Sequence, residues 1–232
     1  MLAAGGGVAP DLLGFGRSSK AGNLEYTLPA YVDFVQGFLD ALGIEEVALM
    51  GHGWGAAIGL LFAQRHPERV QRLAIVDALP LFSGFTWPRI VRYLRRPGIG
   101  ELVMGSITKG VLARMLRAGS TSPKEVWSNQ RVNAVWDQLD QGTQRAILRL
   151  LRSADDRTMS EAGAGLDRLD QPALVIWGER DPWLAPGYAD AFGDRLRNAT
   201  VTRVAGAGHW PWLDDPAVRD RLCDFAQDVP AR

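Results

Sequence analysis

Short apolar runs mark the two ends of the chain, and a helical pattern fills its middle. Glu46 to Met50 (EVALM), Arg72 to Val76 (RLAIV) and Ala173 to Trp177 (ALVIW) are near-continuous apolar runs, the pattern of strands buried on both faces in a parallel sheet. Thr200 to Val204 (TVTRV) alternates and predicts a strand at a sheet edge. Helical patterns separate these runs over Pro29 to Leu42, Gly55 to His66, Pro186 to Leu196 and Pro216 to Asp228. Three of them start on proline, which suits a first turn that needs no N–H donor. This alternation predicts an α/β fold with a doubly wound, mostly parallel sheet. From Phe82 to Leu166 no strand is legible, and Pro88 to Arg95, Glu101 to Arg117, Pro123 to Gln138 and Thr143 to Ala154 read as helices. The expected organisation is a core of residues 1–80 and 167–232 with an all-helical cap, residues 81–166, inserted over one end of the sheet.

Composition narrows the class. The chain has 232 residues, 47% hydrophobic and 22% charged, sufficient for a sizeable core. A formal net charge of zero argues against a dedicated nucleic-acid or membrane-surface protein. No apolar run approaches the ~20 residues of a membrane span, and MLAAGGGVAP lacks the basic segment and apolar stretch of a signal peptide. A cytoplasmic protein acting on a small molecule is the default expectation. Cys223 is the single cysteine, which excludes an internal disulfide framework and a cysteine-rich metal site. No cofactor or metal is expected, since GFGRSS and GHGWGAA are poor matches to nucleotide-binding loops. Charge is nonetheless uneven: Leu81 to Thr158 holds 13 Lys/Arg against 6 Asp/Glu, and the remainder 13 against 20. Arg145, Arg149 and Arg152 share a helical face opposite Ile147, Leu148 and Leu151, which reads first as a solvated face. The sharper alternative is a basic lid that steers anions or docks on the acidic body.

The candidate chemistry centres on Met50 to Leu60 (MGHGWGAAIGL), a strand that ends in a glycine turn and continues as a helix. That is the spacing of a nucleophile elbow, yet its central residue is Gly53, which has no side chain to attack with. A triad also needs an acid and a histidine brought from distant loops to the carboxyl end of the sheet. Asp181 follows the run ending at Trp177, and His209 lies in the glycine-rich loop VAGAGHWPWLDDP between Trp210 and the preceding glycine. The order elbow, acid, histidine is the required one; Asp181 would hold the imidazole and His209 would act as base. Of the other histidines, His66 reads as the polar end of a helix and His52 as a backbone-positioning group. Asp77, after RLAIV, is a weaker candidate acid and reads as a strand-end cap. Trp87, Trp127 and Trp136 read as packing in the helical middle, with the lining of a substrate cavity as the alternative.

On VAPDLLGFGRSSK, MGHGWGAAIGLLFAQRHPERVQRLAIVD, ALVIWGERDPW and AGAGHWPWLDDP the chain resembles an α/β-hydrolase fold protein. His52 and Trp54 resemble the His-Asp-Trp-Gly elbow of haloalkane dehalogenases and epoxide hydrolases. The resemblance implies a backbone oxyanion donor at Trp54, substrate contacts from Trp54 and Trp210, Asp181 as triad acid and His209 as triad base. It departs from the family twice. Gly53 occupies the nucleophile position, where glycine relieves backbone strain but removes covalent catalysis. MLAAGGG is also all that precedes VAPDLLGFG, where the family has further strands and a His-Gly oxyanion loop. The expectation is a truncated or mis-started reading frame, with EVALM short of one ladder partner. Three functions follow: a hydrolase of an ester, epoxide or carbon–halogen bond disabled at Gly53, a non-catalytic binding protein, or slow water activation by His209 and Asp181. Epoxide chemistry in the family resembles one using two cap tyrosines, and only Tyr93 lies in this cap.

Overall fold

Four parallel strands form the sheet in chain order in the computed structural model, which describes residues 6–228. They are β1 (Val47–His52), β2 (Val70–Val76), β3 (Ala173–Gly178) and β4 (Ala199–Val204), each bonded to the next. Alternate residues of the central strands enter different cores. Leu73, Ile75, Ala173, Val175 and Trp177 join the larger cluster, whereas Ala74, Val76, Leu174 and Ile176 join the smaller. A period of two does this in any strand covered on both faces. Helices α1 (Leu28–Ala41) and α2 (Gly53–Arg65) cover the larger side, and Pro216–Gln227 covers the other. Phe62 and Ile58 of α2 are fully buried, each contributing about 1.5–3 kcal/mol. Thr27 caps α1 by accepting from the Ala30 N–H at 3.3 Å.

The fold is the α/β, doubly wound parallel sheet that the pattern predicts. β1 is short of one ladder partner among the described residues, as the resemblance implies, and differs only from its apolar pattern. EVALM reads as covered on both faces, but β1 is an edge among the described residues, bonded only to β2, and Met50 is 46% exposed. Apolar patterning reports what faces a strand could bury and is blind to which strand stands next to it. β4, expected at an edge, lies at the opposite one.

Between β2 and β3 the described chain is helical. The helices are Arg89–Leu94, Ile99–Gly105, Lys109–Ala118, Pro123–Val126, Asn129–Trp136, Gln141–Ser153 and Asp156–Ala162. Two predicted helices are broken where a hydroxyl captures the backbone. Thr108 accepts from the Val111 N–H and Ser128 from the Arg131 N–H, each starting a new helix. Val126, Trp127 and Val132 form a small cluster of their own, while Ala146, Leu150, Leu151 and Met159 belong to the larger core.

The arginine face of Gln141–Ser153 is not simply solvated. Arg145 donates to the Lys20 carbonyl at 2.5 Å and Arg149 to that of Gly22 at 2.6 Å. Arg152 grips Glu101 through both guanidinium nitrogens at 2.7 and 2.8 Å, and this pair, led by the Arg152 hydrogen bond, holds the Glu101 carboxyl at about 2. The basic stripe is neither simply solvated nor docked on acidic side chains of the core: it binds the Lys20 and Gly22 carbonyls and Glu101 of its own helical segment. The loop it holds has its own constraints: a Cβ at Gly14 would come within 2.2 Å of Ala146, and one at Gly16 within 2.2 Å of Asp11.

Candidate active site

The turn from β1 into α2 is built by two glycines with different reasons. A Cβ at Gly51 would lie 2.6 Å from the Ala56 backbone, so the strand can pass the helix only where there is no side chain. Gly53 has φ +52, a left-handed conformation costly for other residues, and a Cβ there would meet nothing within 4 Å. Left-handed backbone and open space together are what a projecting side chain at an elbow needs. Trp54 follows in the first turn of α2, where its N–H has no earlier helical carbonyl to bond. Its ring stacks on Trp87, with centroids 5.8 Å apart.

Asp181 and His209 meet. His209 Nδ1 donates to Asp181 Oδ2 at 2.6 Å, which leaves Nε2 as the basic nitrogen. The other carboxylate oxygen of Asp181 accepts from the N–H groups of Trp183 and Leu184 at 2.8 and 3.1 Å. This loop therefore fixes the carboxylate before it fixes the histidine. The elbow touches the pair through His52, whose Nε2–H donates to the His209 carbonyl at 2.9 Å and whose ring lies 4.5 Å from that of His209. Burial, and then the nearby His209, lower the His52 pKa to about 3, so it is neutral at physiological pH. A carbonyl can only accept, so His52 must carry its proton on Nε2.

Tryptophans enclose the histidine. Trp183 and Trp210 stand edge-on to the His209 ring at 4.8 and 5.2 Å, and Trp127 packs on Trp210 at 4.7 Å. Trp210 thus bridges the histidine and the helical insertion. The insertion also reaches the backbone here: the His209 N–H donates to the Gly119 carbonyl at 2.7 Å. Asp214 accepts from Ser120 and Thr121 with Oδ1 and from the Gly208 N–H with Oδ2. A Cβ at Gly208 would stand 2.2 Å from the Gly119 oxygen. Gly208→Ala should therefore lower stability by about 2 kcal/mol or more and displace the histidine loop, measured by chemical unfolding and by the His209 ring signals in NMR.

Asp77 is the residue the sequence undervalues. It lies directly after β2, fully buried, with φ +39, the one non-glycine residue of positive φ among those described. Its Oδ1 accepts from the Gly178 N–H at 3.1 Å, and its buried Oδ2 receives no hydrogen bond from any donor. Adjacent parallel strands explain the meeting, because β2 and β3 end side by side and deliver Asp77 and Asp181 to one place. Asp77, Asp181 and His209 each have a potential ligand atom within 4.8 Å of the others. The Asp181–His209 contact of 2.6 Å is a hydrogen bond, shorter than the roughly 3.3 Å that separates two ligands 2.0–2.1 Å from a tetrahedral metal.

An elbow at the end of one strand, an Asp–His pair from two later loops and a helical insertion beside them define the α/β-hydrolase class. Residues 1–219 match the alpha/beta hydrolase family, and the chain belongs to it. It is 34% identical over 195 residues to haloalkane dehalogenase 1 of Mycobacterium tuberculosis, covering 79% of this chain and 60% of that protein. A haloalkane dehalogenase of Mycobacterium marinum is 34% identical over 203 residues, covering 82% and 64%. The chain thus spans about 60% of the length of these relatives. An epoxide hydrolase structure superposes with a TM-score of 0.81 at 20% identity, covering 95% of this chain and 81% of that one. A meta-cleavage product hydrolase of Pseudomonas fluorescens gives 0.79 at 20% identity, covering 96% and 79%. In sequence the similarity is to haloalkane dehalogenases, and the epoxide hydrolase and meta-cleavage product hydrolase structures share the fold. No helix among the described residues is long and apolar enough to cross a membrane.

Proposed function

We propose that this chain carries the acid–base half of a hydrolytic site for a small ester, epoxide or haloalkane, and that Gly53 leaves it without the side-chain nucleophile. The observation that carries this reading is Gly53 itself, at φ +52 with open space above it, one residue from the His52 that contacts His209. A nucleophile at this place would form a covalent intermediate, and His209 Nε2 would activate the water that releases it, with Asp181 stabilising the charged ring. The Trp54 N–H would face the developing oxyanion, and Trp54 and Trp210 would contact substrate. The insertion, residues 81–166, would act as cap; its Gly119 bond to the histidine loop supports that role. Without a nucleophile, water activation alone contributes about 10²–10⁴, whereas losing the nucleophile of such a triad costs roughly 10⁶. Turnover is therefore absent or very slow.

The test is Gly53→Asp and Gly53→Ser, assayed on haloalkane, epoxide and ester panels with His209→Ala as control. The expected result is turnover in at least one variant, abolished by His209→Ala, with a substrate adduct on the substituted peptide by mass spectrometry. Fast turnover in the parent chain, or no gain in either folded variant, would refute the reading.

A further inference from the structure

The carboxyl group of Asp77 is spent on nothing in the reading above, although a buried acid held in strained backbone needs a reason. Its surroundings are unusual. Asp77 at the end of β2 is faced by Asp181 from the loop after β3, and that carboxyl by His209 from the loop after β4. His52, at the end of β1, completes the ring of titratable groups, and it is neutral. No lysine or arginine among the described residues pairs with either carboxyl. Two carboxylates this close, buried and without a cation, do not both ionise.

The donors decide which of them holds the proton. Asp181 accepts three hydrogen bonds, from the Trp183 and Leu184 N–H groups and from His209 Nδ1. Asp77 accepts one, from the Gly178 N–H, and its Oδ2 receives none. Each donated bond favours the charged form, so the charge belongs on Asp181 and the proton on Asp77.

We propose that Asp77 is a positioning residue of the site: it carries a proton on Oδ2 and shares it with Asp181, so that a singly charged carboxyl pair holds His209. This deepens the hydrolytic reading and rests on it only for its purpose, not for its geometry. The pair spreads one negative charge over two side chains, which weakens the pull of Asp181 on a charged imidazole while keeping the ring oriented. Burial, and then the neighbouring Asp181 charge, raise the Asp77 pKa to about 10, in agreement with the donor count.

The test needs neither substrate nor turnover, so it succeeds or fails independently of the Gly53 variants. In the parent chain labelled with ¹³C at the aspartate carboxyl, one resonance should keep its protonated shift at neutral pH and vanish in Asp77→Asn. The His209 ring titration, followed by NMR, should be unmoved in Asp77→Asn, whose amide still donates to Asp181. It should move upward by roughly one pH unit in Asp77→Ala, which strips that donor from the Asp181 charge. A downward move in Asp77→Asn would mean that a negative charge had been removed, and would overturn the proposal. So would a parent chain in which every aspartate is ionised at neutral pH. Stoichiometric shifts of the His209 signals on adding zinc would assign the cluster to a metal instead.

Discussion

Above neutral pH, Asp77→Asn is expected to be more stable than the parent chain, by a margin that widens as pH rises. The unfolded chain ionises Asp77 near its ordinary value of 3.8, while the folded chain holds the proton until about 10. A raised acid pKa means that folding stability is fully present below the unfolded value and is lost as pH climbs to the folded one. Between those limits the loss is about 1.4 kcal/mol per pH unit, of order 4 kcal/mol by pH 7. Asparagine removes the ionisation, keeps an acceptor for the Gly178 N–H, and suits the positive φ better than most residues. His52 works in the opposite direction. Its pKa falls from 6.5 to about 3 on folding, so its contribution is present above the unfolded value and is lost as pH falls toward the folded one. The two slopes cancel between about pH 4 and 6.5. Thermal unfolding across pH should show a plateau there in the parent and a continuing rise through the same interval in Asp77→Asn. A parent whose stability grows above pH 7 would contradict the assignment.

Gly51→Ala is the second large effect, and Gly55→Ala is its control. The added methyl at Gly51 would sit 2.6 Å from both Cα and N of Ala56, backbone atoms that cannot turn aside. To accommodate it, α2 would have to lift from β1 and take Ala56, Ile58 and Leu60 partly out of the core. Overpacking of a well-packed core typically costs about 1–3 kcal/mol, and contact with helix backbone at Ala56 and Gly55 puts this variant at about 3 or above. The Cβ at Gly55 meets nothing within 4 Å, and its position is helical. There alanine should be neutral or stabilising by about 0.5–1 kcal/mol. For a chain of this size each kcal/mol moves Tm by about 2–4 °C, so differential scanning calorimetry separates the two. Equal shifts in both variants would mean that the close approach at Gly51 is not real.

Much of this arrangement is written locally in the chain. RLAIV and ALVIW carry their strand character in uninterrupted apolar residues, and both are fully paired strands. The meeting of Asp181 and His209 is legible because each sits directly after a strand pattern in a loop of glycine, proline and aspartate, where side chains are free to converge. Asp77 follows a strand in the same way, but its importance depends on β2 lying beside β3. That is a fact of sheet order, which no window of sequence contains. The edge position of β1 is likewise absent from its apolar pattern, and it is the resemblance that implies a missing ladder partner there. The helix breaks at Thr108 and Ser128 are not in the periodicity, because a single hydroxyl outweighs an otherwise good helical pattern. The arginines of Gln141–Ser153 kept their predicted face, but their partners are backbone carbonyls, which carry no side-chain signature.

Those carbonyl partners have a consequence for how the molecule responds to ionic strength. Added salt weakens exposed pairs of opposite charges such as Lys20–Asp140. The bonds from Arg145 and Arg149 to Lys20 and Gly22 join a cation to a dipole, and part of each lies within hydrogen-bond contact, where mobile ions do not enter. The seam between the insertion and the amino-terminal loop is thus an ion–dipole joint, and it stays closed in brine that would loosen the charge pairs around it.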